Sequence, residues 1–158
     1  ALLELVELAV RALSPGINDP FTAVNCIDRL GAVLGRIANR DVPPTRFLDD
    51  DGTLRLVMPA ARLENLIDAA FNQIRQHGQG NTAVLIRILE ALGEVARQVK
   101  RQEDARAIQR HVAMIEREGE ESIHEPNDLD DLKERADTIV SRLEKWIEKE
   151  NLPGDVQP

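Results

Sequence analysis

The 158-residue chain contains 42% apolar and 30% charged residues, a composition typical of one globular domain rather than of a disordered segment. Aromatic residues make up only 3%, so the core must be aliphatic, which favours packed helices over a β-sandwich. The net charge of −8 disfavours nucleic acid and anionic membranes as partners, because both attract a basic protein face.

The single cysteine, Cys26, cannot form an internal disulfide, and its apolar-periodic surroundings predict a small core residue. No secretion signal is recognisable, and no apolar run approaches the ~20 residues that a membrane span requires. These features favour the cytoplasm. The chain lacks an initiator Met and begins inside an apolar segment at 2–6, so we expect a piece of a longer protein.

The predicted fold is a mainly α bundle of about six helices with one inserted β-hairpin, forming a single domain over residues 1–150. The last residues, 151–158, are expected to be frayed. The 3.6-residue apolar period predicts helices over about 1–13, 20–39, 59–77, 82–99, 102–122 and 128–150. Asn81 or Thr82 is the predicted cap of the fourth helix, and Asn127 with Asp130 forms a variant capping box for the sixth.

The hairpin is predicted at 46–58, around the acidic turn at 49–52 that ends in Asp51-Gly52. Since an isolated hairpin is marginally stable, we expect it to pack on the helices. The acidic turn does not match a calcium loop, because Phe47 and Met58 occupy the positions where an EF-hand needs acidic ligands.

Two segments are candidates for self-association. The sixth helix repeats apolar residues with the spacing of a coiled-coil seam, at Leu129, Leu132, Ala136, Ile139, Leu143 and Trp146. Val140 and Ile147 broaden this stripe and favour packing inside the bundle. The first helix is apolar over a wide face that includes Leu3. These apolar faces could therefore form either the interface of a homo-oligomer or part of the core of a single chain.

The segment between the first two helices carries the most distinctive residues. Asp19 before Pro20 predicts an N-cap whose carboxylate accepts from the amide of Phe21 or Thr22. As an alternative to capping, Ser14, Asn18 and Asp19 could bind a cation or a polar ligand. Neither Ser14 nor Cys26 has a histidine close in sequence, so no catalytic residue is predicted.

Metal and phosphate sites are not predicted. His77, His111 and His124 lack the spacing of metal ligands; His77 suits a helix C-terminus, and His111 is predicted at a helix surface or boundary. The loop 77–82 lacks the lysine of a phosphate loop and serves as a helix stop and start. We expect no cofactor and no metal.

Two stretches form a specific motif: residues 11–23, RALSPGINDPFTA, with 26–30, CIDRL, and then residues 69–75, AAFNQIR. They resemble the bacterial predicted membrane proteins of domain-of-unknown-function family 2254. Members of that family have transmembrane helices in an N-terminal region. The resemblance implies that this chain is the soluble C-terminal portion of such a protein, and it supplies no activity or catalytic residues.

These observations predict a soluble, non-enzymatic interaction or regulatory domain of a bacterial membrane protein. The alternative is a ligand- or metal-binding domain, or an enzyme, that uses a polar site around Asn18 and Asp19.

Overall fold

The computed structural model describes residues 2–41, 46–58 and 62–151. It confirms a mainly α bundle with one inserted hairpin. The elements are α1 (Leu2–Ala12), α2 (Pro20–Ala38), β1 (Arg46–Leu48), β2 (Leu54–Val57), α3 (Leu63–His77), α4 (Thr82–Ala96), α5 (Gln102–Ser122) and α6 (Pro126–Asn151). Within these ranges no helix combines the length and the apolar character needed to cross a membrane.

Two helix starts follow the predicted capping chemistry. The Asp19 carboxylate accepts a hydrogen bond from the Thr22 amide at 3.1 Å, and Pro20 occupies the first helical position. At the start of α4, the Asn81 side chain accepts from the Val84 amide at 3.2 Å. Both caps satisfy amide groups that have no partner within the helix.

The sixth helix differs from the prediction at its start. It begins at Pro126, so Asn127 lies inside the helix instead of capping it, and the capping box with Asp130 is wrong. Glu125 takes that place, because its carboxylate accepts from the Asn127 amide at 3.3 Å. The predicted third-helix residues 59–61 and the tail residues 152–158 lie outside the described residues.

The core is aliphatic, as predicted, and α4 is central to it, packing against α2, α5 and α6. Cys26 is buried in this core, which confirms its predicted place. Close approach of α2 and α4 depends on Gly31, since a Cβ there would lie 2.9 Å from the Cβ of Ala91. The first helix contributes Val6, Ala9 and Ala12 to the core.

The apolar seam of α6 faces its own bundle. Leu132 packs against Gly119 of α5, and Ile139 packs against Gly93 of α4. The seam residues Leu132, Ala136, Ile139 and Leu143 are buried, while Leu129 and Trp146 are partly buried against the same core. The seam therefore serves intramolecular packing. In α1, by contrast, Leu3 is 64% exposed, so part of the wide apolar face of this helix lies outside the core.

The hairpin forms at the predicted position, but the prediction that it packs on the helices is wrong. Every residue of β1 and β2 is exposed. Its turn is held by local bonds instead: the Asp49 carboxylate accepts from the amides of Asp51 and Thr53, and Gly52 has a φ of +78°. These local bonds, rather than contacts with the helices, hold the hairpin turn.

Candidate functional site

The loop between α1 and α2 brings Ser14, Asn18 and Asp19 together, and each has a local partner. The Ser14 hydroxyl donates to the carbonyl of Arg11 at 2.7 Å, at the end of α1. The Ser14 carbonyl accepts from the Asn18 amide at 2.8 Å, and the Asp19 amide donates to the carbonyl of Ala12 at 2.7 Å. Asn18 has a φ of +48°, the left-handed conformation that asparagine tolerates better than most residues.

Both carboxylate oxygens of Asp19 are engaged by Thr22. One accepts from the Thr22 amide, and the other accepts from the Thr22 hydroxyl at 2.5 Å. The hydrogen bond from that hydroxyl, with the amide bond, lowers the pKa of Asp19. The carboxylate is thus an ionised cap. A ligand role for Ser14, Asn18 and Asp19 remains a prediction, and it would compete with these bonds.

The same loop exposes two large apolar side chains. Ile17 is 54% exposed and Phe21, one residue inside α2, is 75% exposed. Phe21 follows directly after the Asp19 cap and Pro20, so its backbone position is set by the start of α2. The polar residues of the motif therefore build the loop, whereas Ile17 and Phe21 face solvent.

A groove of about 960 Å³ lies between α2, α4 and α6. Its lining combines charged side chains with small residues, including Gly31, Gly35, Ala91 and Gly93. Ser14, Asn18 and Asp19 do not line it. α2 and α4 approach each other closely at Gly31, one of the residues that line this groove.

Ion pairs span this groove. Arg87 of α4 forms a two-pronged pair with Asp28 of α2 and also donates to Glu90 at 2.7 Å. Arg135 of α6 donates to the other oxygen of Glu90 at 3.0 Å. The hydrogen bonds from Arg87 to Asp28 and Glu90 raise the pKa of Arg87, which stays cationic. Charges paired in this way link three helices and are typical of a structural network.

A second polar cluster, which was not predicted from the sequence, lies between α3 and α5. His111 is only 1% exposed, so its predicted place at a helix surface or boundary is wrong. Its Nε2 lies 2.8 Å from Oδ1 of Asp68, and Arg110 donates to the same oxygen at 2.8 Å. Arg75 and Glu118 form a mostly buried ion pair nearby, with 2.5 Å between Nη1 and Oε2.

The spacing of apolar residues in α5 predicts the burial of His111. His111 lies three residues after the core residue Ile108 and four before Ile115, so it continues the apolar stripe of α5. Burial lowers the pKa of His111 and outweighs the opposing hydrogen bond to Asp68. Burial by itself would raise the pKa of Asp68, but the bonds from Arg110 and His111 lower it. The pair is therefore a neutral imidazole beside a carboxylate.

The two remaining candidate residues, His77 and Cys26, lie in surroundings that suit a structural role. Nδ1 of His77 lies 2.9 Å from the carbonyl of Gln73 at the end of α3, consistent with its predicted place. Burial raises the pKa of the Cys26 thiol, which disfavours the nucleophilic thiolate. Across the described ranges, no group of three or more His, Cys, Asp or Glu side chains could hold a metal ion.

Comparison with known proteins places the chain in a family. Residues 1–94 match the family model described as "Predicted membrane protein (DUF2254)". The chain is 30% identical over 127 residues to Uncharacterized protein Mb1321c of Mycobacterium bovis and to Uncharacterized protein Rv1290c of Mycobacterium tuberculosis. Each match covers 80% of this chain but only 24% of the relative.

No solved structure matches the chain. The matched residues include the whole α1–α2 loop, α3 and most of α4, so the exposed Ile17 and Phe21 lie within the matched segment. The chain therefore belongs to the family of predicted membrane proteins, DUF2254.

Proposed function

We propose that this chain is a soluble, non-enzymatic interaction or regulatory domain of a bacterial membrane protein, attached through transmembrane helices that precede residue 1. The family description and the 24% coverage of the relatives support this proposal. Cys26, a free and buried thiol, suits a reducing compartment, so we place the domain on the cytoplasmic side.

The observation that carries the proposal is the α1–α2 loop. It holds Phe21 at 75% exposure and Ile17 at 54%, while local hydrogen bonds occupy the side chains of Ser14 and Asp19. Aromatic side chains in such positions are frequent anchors of protein interfaces. A polar ligand site around Asn18 and Asp19 has less support, since the Asp19 carboxylate already accepts two hydrogen bonds.

The proposed occupant of this surface is the membrane-spanning part of the same polypeptide. The 11 residues of α1 separate the loop from residue 1, and a helix of that length extends only about 16 Å. The loop therefore lies one short helix from residue 1, on the N-terminal side, where the family resemblance implies transmembrane helices. Such proximity raises the effective concentration of the two surfaces and lets a modest apolar contact form.

Site-specific photo-crosslinking in the full-length membrane protein tests this contact. A benzophenone side chain at Phe21 is expected to crosslink within the polypeptide, to its membrane-spanning part. Arg117, exposed on α5, is the matched control position. The proposal fails if Phe21 crosslinks only to lipid or other proteins, or gives the same products as Arg117.

A further inference from the structure

Polar side chains join α3 to α5. We call them the polar interface; they are Glu64, Asp68, Asn72 and Arg75 of α3 with Arg110, His111 and Glu118 of α5. The four α3 residues recur every three or four positions, so they share one face of that helix. Besides the contacts described above, Arg110 forms an ion pair with Glu64 at 3.4 Å. Hydrogen bonds and ion pairs thus connect the two helices along this face.

Two buried atoms of the polar interface have no hydrogen-bond partner among the described residues. They are Oδ1 of Asn72 and Nε of Arg75. A polar atom that is buried without a partner has lost its hydrogen bonds to water and has gained none in return. Separation of α3 from α5 would let water reach both atoms, and this gain offsets part of the contact that is lost.

His111 is the group of this interface on which a proton acts. The charged groups that act on its imidazole are Asp68 and Arg75 from α3 and Arg110 beside it in α5. A protonated imidazole would attract Asp68, but it would be buried and would face two guanidinium groups. Burial, with the charges of Arg110 and Arg75, lowers the pKa of His111 despite the hydrogen bond to Asp68.

The other helices that pack against α5 direct their charges elsewhere. The charged side chains of α4 line the groove towards α2 and α6; they are Arg87, Glu90 and Glu94. In α6, Lys133 pairs with Glu120, which lies nine positions after His111 and therefore on the opposite side of α5. The protonation of His111 is thus governed by the polar interface.

We propose that acid opens the polar interface: a proton bound by the imidazole of His111 separates α3 from α5, while α2 and α4 stay packed together. Water reaches the ring in the open state, so the open state binds the proton more tightly and proton uptake favours it. The contact of α2 with α4 includes close packing at Gly31 and Ala91, and its loss would expose the apolar core to water.

The opening reaches α1, because α3 also packs against that helix. Since α1 leads into the α1–α2 loop, movement of α3 is a route by which pH changes the surroundings of the loop. The inference does not depend on the contact proposed for the loop, because the polar interface consists of other residues.

Pulsed electron paramagnetic resonance on the 158-residue chain, with Cys26→Ala, measures the opening. Spin labels at Gln73→Cys and Arg117→Cys report the α3–α5 distance, because both positions are exposed and lie outside the polar interface. The matched pair, Ala32→Cys and Glu94→Cys, reports the α2–α4 distance at exposed positions. Between pH 6.5 and 5, the ratio of open to closed α3–α5 distances should rise by up to about tenfold per pH unit, while the α2–α4 distance stays constant.

Two results of this measurement would overturn the proposal. One is an α3–α5 distance distribution that is the same at pH 7.5 and at pH 5. The other is a joint change in both labelled pairs, because the bundle would then open as a whole and the polar interface would have no separate response.

Substitutions assign the response to His111. His111→Gln keeps a donor for Asp68 but binds no proton, so the longer distance in acid should disappear, whereas the exposed His124→Gln should retain it. Arg110→Gln removes a positive charge that opposes the imidazolium, so the opening should move to lower pH; Arg106→Gln, also exposed on α5, is its control. Arg110→Gln provides the test if His111→Gln does not fold. A response that survives in His111→Gln, or that Arg110→Gln and Arg106→Gln change equally, overturns the proposal.

Discussion

Nε2 of His111 lies 2.8 Å from Oδ1 of Asp68, and this contact joins α5 to α3 inside the bundle. The imidazole is 1% exposed, and Arg110 shares the same carboxylate oxygen, with Arg75 contributing a further positive charge nearby. A buried histidine next to two arginines resists protonation, even with a carboxylate as its partner.

This arrangement predicts a loss of stability in mild acid. Burial lowers the pKa of His111 below the ordinary histidine value of 6.5, so below about pH 6.5 the unfolded chain binds a proton that the folded chain does not. The free energy of unfolding should therefore fall as pH decreases from 7.5 to 5, by at most about 1.4 kcal/mol per pH unit from this group.

Urea unfolding at a series of pH values measures this slope. His111→Gln should flatten it, whereas His124→Gln, at an exposed position, should leave it unchanged. Asp68 acts at lower pH, because hydrogen bonds lower its pKa and its stabilisation is lost only in stronger acid. An unchanged slope in His111→Gln would show that another group controls the response.

The contact between α2 and α4 predicts opposite effects at two glycines. A Cβ at Gly31 would lie 2.9 Å from the Cβ of Ala91 and 3.3 Å from its Cα, so Gly31→Ala should destabilise by about 1–3 kcal/mol. A Cβ at Gly35 would meet only Gln98 at 3.7 Å. Gly35→Ala should therefore be neutral or stabilise by about 0.5–1 kcal/mol, as alanine does in helices. Thermal unfolding of both variants measures the two changes in stability. Similar losses of stability in Gly31→Ala and Gly35→Ala would contradict the predicted difference in packing.

The ion pairs should differ in strength according to burial. The side chains of Arg75 and Glu118 are 13% and 12% exposed, so Arg75→Met leaves a carboxylate with little solvent and should cost about 3 kcal/mol. Arg97→Met is the control, since its pair with Glu94 is largely exposed and should cost about 0.5 kcal/mol or less. Glu118→Gln should restore stability to Arg75→Met, and a failure to do so would assign the loss to packing.

The cap of α2 predicts a graded series at Asp19. Asp19→Ala removes the acceptor for the Thr22 amide and should lower the melting temperature by a few degrees, with less helical signal near that end. Asp19→Ser and Asp19→Asn keep an acceptor and should be much milder. Equal losses in all three variants would indicate that the carboxylate charge itself matters, which would favour the ligand hypothesis.

Features that depend on neighbouring residues could be predicted from the amino-acid sequence. The cap at Asp19 with Pro20, the start of α4 after Asn81, and the turn at Gly52 all follow from hydrogen bonds within a few residues. Apolar periodicity likewise located the helices and the aliphatic core, because burying one face of each helix is the common solution for such segments. The family motif was recognisable for the same reason: its residues are contiguous.

Burial and partner choice were decided only by the tertiary structure. Whether His111 is solvated depends on α3 lying over it, and whether the α6 seam meets another copy depends on α4 and α5 covering it first. The exposure of Phe47 and Phe21 was hidden in the same way, since an apolar residue reads identically in sequence whether it faces a core or solvent. Contacts between segments distant in the chain fix these outcomes, and local propensity does not encode them.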